Sequence, residues 1–359
     1  MELTSICRAA AQRGASDVHL KAGSPPAFRI NGVIQAMDSG SALTDEQITR
    51  MAWDIMSPLQ RDRFKRDLDL DMGWEVEGLG RFRVNVFRQR HLMGMVLRLI
   101  PDTVRSIDEL GLPEIIKEIA TQPRGLILVT GTTGSGKSTT LAAMVEEINR
   151  RFPVHIMTIE DPIEFSFKDR KAVVNQREVG VDTQSFTAGL RAVLRQDPDV
   201  VLVGELRDME SVRIALDAAE TGHLVMSTLH TLDAAESINR IVAFFEPHHQ
   251  QQVRTQLSSV LRAVLSQRLV PTIDGSRVAA VEIMRNSGTI SECIEDPARL
   301  SEIPDHLRRT SEVHGTQTFD QAVYTLLQGG RISKEQALRS VNNPDELELK
   351  LRGIEHGFS

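Results

Sequence analysis

The stretch Leu126-Ile-Leu-Val-Thr130-Gly131-Thr-Thr133-Gly134-Ser135-Gly136-Lys137-Ser138-Thr139 decides how this chain is read. A short apolar run of strand length enters the pattern G-x-x-x-x-G-K-[ST]. Behind it, Leu141, Met144, Val145 and Ile148 fall on one helical face. The chemistry of a polyphosphate explains these residue types. Glycines at 131, 134 and 136 let backbone N–H groups approach anionic oxygens, and the helix start adds the positive end of its dipole. Lys137 is expected to reach the β and γ phosphates, and Ser138 to ligate Mg²⁺. Thr133, Ser135 and Thr139 complete the expected binding set.

Outward from this loop, more apolar runs alternate with helical patterns: His155-Ile-Met-Thr-Ile159, Val200-Val-Leu-Val203 and Leu224-Val-Met-Ser-Thr-Leu229. Continuous apolar runs suit strands buried on both faces, so the pattern predicts an α/β fold with a parallel sheet. Ligands of such sheets gather beyond the carboxyl ends of the strands. Asp197-Pro-Asp199, the Val200 run and Gly204-Glu205 deliver a carboxylate there, and Glu205 is expected to hold or orient magnesium, directly or through water. Glu160-Asp161-Pro162-Ile163-Glu164 displays further carboxylates on a loop, because Pro162 prevents a simple continuation of the strand. One of them is suited to polarise an attacking water. A solvated acidic turn is the plain alternative for either cluster alone. His223 and His230 bracket the Leu224 run; seven residues apart on an extended strand, they cannot share one metal ion, so a zinc pair is excluded. Sensing of the γ-phosphate is their functional reading, and a satisfied polar contact the plain one.

The first hundred residues read as α+β. Leu3, Ile6, Cys7 and Ala10 share a helix face that Gly14 is placed to end, and Asp17 to Leu20 alternates like a strand. Asn31-Gly32 suits a hairpin turn between Phe28-Arg-Ile30 and Val33-Ile34. Thr44 with Gln47 marks the start of a helix carrying Ile48, Met51, Ala52 and Ile55. In Arg81-Phe-Arg-Val-Asn-Val-Phe87, Phe82, Val84 and Val86 face one way and Arg81, Arg83 and Asn85 the other. Met95 to Ile100 continues the sheet, Pro101 ends it, and Ser106 with Glu109 gives another capping signal. Arginines 81, 83, 88, 90 and 98 are either a solvated face or fingers that act on a phosphate.

The chain has 359 residues, enough for about two domains of roughly 150 residues each. A net charge of −7 and no basic, aromatic-studded surface argue against nucleic acid as the partner. Two cysteines cannot build a disulfide framework or a tetracysteine zinc site. The sequence has neither a signal-peptide pattern nor an apolar run of transmembrane length, so a cytoplasmic protein is expected.

Ala15-Ser-Asp-Val-His-Leu20, Arg81 to Phe87, Thr158-Ile-Glu-Asp-Pro-Ile-Glu164, Val174-Asn-Gln-Arg-Glu-Val179, Leu190 to Asp199 and Glu220-Thr-Gly-His-Leu224 carry a resemblance. Together with the glycine loop, they resemble the secretion and pilus-assembly ATPase superfamily, and more narrowly its type IV pilus retraction (PilT-like) branch. The resemblance implies a PAS-like N-terminal domain over residues 1–100, a linker over 101–112, a RecA-like ATPase core over 113–285 and a helical C-terminal region over 286–359. It implies a homo-hexameric ring with ATP and Mg²⁺ between the domains. Glu164 then matches the catalytic base, Arg83 and Arg98, with Arg81 a near rival, the arginines that complete the site, and His223 and His230 the His box. An inner-membrane pilus platform protein is the implied partner, met peripherally at the cytoplasmic face.

Extension and secretion ATPases of the superfamily usually carry a longer N-terminal region and a tetracysteine zinc insertion; with two cysteines and a first domain expected from near residue 1, the retraction branch is the expected fit. The stretch Gly288-Thr-Ile-Ser-Glu-Cys293-Ile-Glu295 keeps apolar spacing but replaces the arginine and asparagine usual in the retraction branch, and Thr231-Leu-Asp233 also departs from it. The expected function is ATP-driven pilus retraction. A PilU-like accessory paralogue, a non-retraction pilus or secretion ATPase, and a nucleotide-gated ring without hydrolysis stay open.

Overall fold

The computed structural model describes residues 2–30, 32–37, 41–100 and 103–352. Asn31 of the expected turn, Pro101 at the expected strand end, and residues 102 and 353–359 lie outside them. Two compact units are present: Met1–Val104 with Glu160–Phe167 and Glu178–Thr183, and the remainder of the chain.

In the first unit, β1 (Asp17–Lys21), β2 (Ala27–Ile30), β3 (Val33–Ala36), β4 (Asp69–Val76), β5 (Gly80–Gln89) and β6 (Leu92–Leu99) form one sheet. Its order is β3-β2-β1-β6-β5-β4, and the neighbours run antiparallel. Alternation on β5 buries Phe82, Val84 and Val86 and leaves the arginines on the other face. The helix Leu3–Gln12 buries Leu3, Ile6, Cys7 and Ala10. Thr44 and Gln47 form the reciprocal cap that starts the helix Asp45–Ile55. A further helix, Pro58–Asp67, begins with its own Ser57–Gln60 capping box and buries only Gln60 and Phe64. The capping contacts between Ser106 and Glu109 also form, but they start only a single turn. Gly111, at φ +66°, and Pro113 stop it from growing into a helix.

The second sheet contains β7 (Gly125–Thr130), β8 (His155–Glu160), β9 (Val173–Glu178), β10 (Val200–Val203), β11 (Leu224–Leu229), β12 (Leu261–Pro271) and β13 (Arg277–Arg285). Their order is β13-β12-β7-β11-β10-β8-β9. The pairs from β12 through β8 are parallel, as the alternation predicts, and β13 returns antiparallel along β12. Every residue of β7, β10 and β11 is buried. The helices Lys137–Arg151 and Met209–Glu220 pack on this sheet. After β13 the chain is helical, and a small core of Val323, Ile332, Ala337 and Leu347 closes on Val270, Val278 and Ala280.

One buried carboxyl sits inside this second unit. Glu282 lies opposite Ser266, and its Oε1 accepts the Ala234 N–H at 2.9 Å. Burial raises its pKa from 4.5 to about 7, against the lowering effect of that hydrogen bond. The native state therefore keeps a proton that the unfolded chain releases. Stability is expected to fall as pH rises from about 4.5 to 7 and to level off above. Glu282→Gln should remove this slope and gain about 3 kcal/mol above pH 8, read from urea unfolding at several pH values.

Candidate functional site

The phosphate loop hangs between β7 and the helix Lys137–Arg151. Gly131 has φ +142°, and a Cβ there would stand 2.6 Å from Ser135 Oγ and strike the Gln267 carbonyl. Gly136, in left-handed backbone, caps the helix without any side-chain hydrogen bond, so its first N–H groups face the loop unclaimed by a cap. Lys137 is only 8% exposed, and its Nζ donates to the Gly131 carbonyl at 2.8 Å and the Thr132 carbonyl at 3.0 Å. Thr133 and Gly134 are exposed at the tip, Ser135 is buried, and Ser138 and Thr139 are half-buried.

Register fixes which other groups share this edge. Leu229 pairs with Thr130, so His230 leaves β11 beside the point where Gly131 leaves β7. His230 Nε2 lies 3.4 Å from Glu205 Oε1, just past the end of β10. Glu205 also accepts from Arg207 Nε at 2.8 Å, a partner that sequence reading missed although it stands two residues away. Glu205 and His230 are therefore brought together. His223 is not. It precedes β11, at the opposite edge of the sheet, a six-residue strand or roughly 20 Å from the loop. Its Nδ1 instead lies 3.0 Å from the Ala218 carbonyl at a helix end. Within the chain, strand direction places His230 beside the loop and His223 at the other end of β11.

The first unit holds the second acidic group. Glu164 is half-exposed, its N–H donates to Glu160 Oε2 at 3.3 Å, and its Oε1 lies 3.9 Å from Arg83 Nη1. Arg83 also grips Asp71 through Nε at 3.0 Å and Nη2 at 2.5 Å. The Asp71 hydrogen bond, with the charges of Asp71, Glu164 and Asp161, raises the Arg83 pKa despite burial. Arg81 has a different environment from its neighbour. It is paired with Glu178, whose side chain is 2% exposed and also accepts the Gly73 N–H at 3.0 Å and the Ile163 N–H at 3.2 Å. Arg81 therefore anchors the acidic loop to the sheet of this unit. Arg98 Nε donates to Asp17 at 2.7 Å, yet its side chain stays 68% exposed. Burial tends to raise the Asp17 pKa, but hydrogen bonds from Arg98 and Ser16 outweigh it and hold the carboxyl low.

The type II/IV secretion system protein family model matches residues 2–329. The chain is 44% identical to the type IV pilus retraction ATPase PilT of Pseudomonas aeruginosa, over 96% of this chain and 99% of that one. It is 39% identical to the type IV pilus ATPase PilU of the same organism, over 98% and 92%. The crystal structure of the pilus retraction motor PilT with bound ADP superposes with a TM-score of 0.88 at 44% identity, covering 97% of this chain and 99% of that one. Among the described residues, no helix is long and apolar enough to cross a membrane. With this loop, this sheet and these relatives, the chain belongs to the type II/IV secretion system protein family and, within it, to the PilT-like ATPases.

Proposed function

We propose that this protein is a hexameric motor that hydrolyses ATP with Mg²⁺ and drives type IV pilus retraction. One observation carries the reading: the buried, oriented Lys137 ammonium in a glycine loop, on the sheet edge where Glu205 and His230 also emerge. Similarity to PilT along nearly all of both chains supports the pilus assignment. The loop fits a magnesium nucleotide. Its glycines leave the space that side chains would fill, and Ser138 and Glu205 offer oxygen ligands of the kind magnesium takes. When bound, Mg²⁺ supplies positive charge to the phosphate oxygens.

Lys137 stabilises charge on the transferred phosphoryl group, aided by N–H groups of the loop from Gly131 to Thr139. Glu164 takes the proton of the attacking water. Arg83 and Arg98 complete the positive charge around the phosphates. His230, within reach of Glu205, exchanges that partner for phosphate oxygen as the nucleotide changes. Domain rotation then works on an inner-membrane platform protein from the cytoplasmic side, with no direct nucleic-acid contact. Glu164→Gln is expected to lower ATP turnover by roughly 10²- to 10⁴-fold and to leave ADP affinity within about twofold. Turnover at the wild-type rate would contradict the assignment of the base.

A PilU-like accessory role is the second reading, favoured by 39% identity to PilU over 98% of the chain. The replaced stretch favours it too: it forms the helix Gly288–Glu295, which buries Ile290, Cys293 and Ile294. Deleting an accessory motor would leave retraction running.

A further inference from the structure

Away from the phosphate loop, the helices after β13 bring three unlike metal-seeking groups together. Cys293 lies on the helix Gly288–Glu295, Glu302 ends the 3₁₀ segment Pro297–Glu302, and His306 lies on the helix Ile303–Arg309 that follows. One ligand atom from each (the thiol sulfur, a carboxylate oxygen, a ring nitrogen) lies within 4.8 Å of the other two. Glu302 Oε2 and His306 Nε2 are 3.6 Å apart, since residues four apart share a helix face. Tetrahedral bonds of about 2.0–2.3 Å set ligand atoms roughly 3.3–3.8 Å apart, so small side-chain rotations close the set on one ion. Cys293 is fully buried, while the side chains of His306 and Glu302 are 24% and 46% exposed. The sulfur thus forms the floor of the cluster, and the other two groups form a mouth that water can reach.

The surroundings suit a divalent ion. Arg299 Nη1 donates to Glu292 at 2.9 Å, and its Nε and Nη2 donate to Glu302 Oε2 at 3.3 Å. Arg299 therefore ties the Glu302 carboxylate to the residue beside Cys293. A carboxylate has about four lone-pair positions, so this contact orients Glu302 without exhausting it. A thiolate, a carboxylate and a neutral imidazole together carry two negative charges, which cancel those of the ion, and Arg299 and Glu292 cancel each other. Sulfur and ring nitrogen are poor ligands for Mg²⁺ and Ca²⁺ and good ones for Zn²⁺. We propose that Cys293, Glu302 and His306 hold one Zn²⁺ ion, with water in the fourth position, and that the ion fastens the helix Gly288–Glu295 to the helix Ile303–Arg309. Binding takes the thiolate, and the Cys293 proton passes to solvent. The sulfur comes from the stretch that departs from the retraction branch, and the site depends on neither the phosphate loop nor its nucleotide.

The test uses purified full-length protein, freed of metal by a chelator and kept without nucleotide or Mg²⁺. Co²⁺ is the spectroscopic probe, because a thiolate bound to it gives an intense ultraviolet charge-transfer band. One Co²⁺ per chain is expected to raise this band, and Zn²⁺ to abolish it by displacement. Zn²⁺ at a hundredfold excess over its Kd should raise the melting temperature by roughly 5 °C or more. Cys293→Ser and His306→Ala should each lose both the band and the shift. Arg299→Gln should weaken zinc binding by roughly 10- to 100-fold. Cys7→Ala, in the other unit, should keep the band. His248 and His249, whose rings stand 4.0 Å apart, can take a metal without raising a thiolate band. The site is overturned if Co²⁺ raises no such band, if the band survives in Cys293→Ser, or if His306→Ala keeps the wild-type zinc affinity. His306 is partly exposed, so its variant keeps the test decisive should Cys293→Ser not fold.

Discussion

Replacing Lys137 by alanine is expected to cut ATP turnover by roughly a hundredfold or more. The side chain is almost wholly buried in its loop, and its Nζ is already aimed by two backbone carbonyls. A preorganised charge of this kind needs no reorientation when phosphoryl charge develops. Alanine removes the charge and leaves water or nothing in its place. The fold should survive, since the hydrogen bonds to the Gly131 and Thr132 carbonyls are worth only about 1 kcal/mol each. Phosphate release by the purified protein, measured beside its thermal melt, separates lost chemistry from lost structure.

The second large effect concerns stability. Arg81→Leu is expected to destabilise the first unit by about 3–5 kcal/mol, because it strands the Glu178 carboxylate where almost no water reaches it. The Gly73 and Ile163 N–H groups remain as donors but bring no compensating charge. A fall in melting temperature of roughly 10 °C or more follows. Adding Glu178→Gln to Arg81→Leu should recover most of the loss, since the buried charge is then gone. Arg83→Ala should change stability by only about 1 kcal/mol, because its Asp71 and Glu164 partners are exposed by a third or more. Neighbouring arginines on one face of β5 thus differ by what lies opposite them, and circular dichroism melts of the three proteins measure the difference.

That contrast also shows what the sequence made legible. The phosphate loop could be read because its geometry is local: glycines, lysine and serine act within a few residues of one another. The runs of β7, β10 and β11 could be read because burial on both faces leaves them mostly apolar and without a charged residue. The helix Pro58–Asp67 escaped notice because it buries just two side chains and shows no apolar stripe. Its neighbour β4 is mixed in character, and its pairing with β5 carries it. The arginines were visible as a group but not as individuals, since Arg81 finds its partner 97 residues away and Arg98 finds its own 81 residues away. The separation of His223 from His230 follows from strand direction: in a parallel sheet, a residue before a strand lies at the edge away from the loop that follows one. Gln267 gave no signal at all, because only the register of β12 against β7 brings it to Gly131.

The most direct measurement of the central claim is pilus retraction in a strain deleted for this protein, complemented with wild type or with Glu164→Gln. Deletion is expected to stop retraction and wild type to restore it, while Glu164→Gln accumulates to normal levels without restoring it. Retraction that persists after the deletion, or that Glu164→Gln restores in full, would contradict a motor that draws its work from ATP hydrolysis at this site.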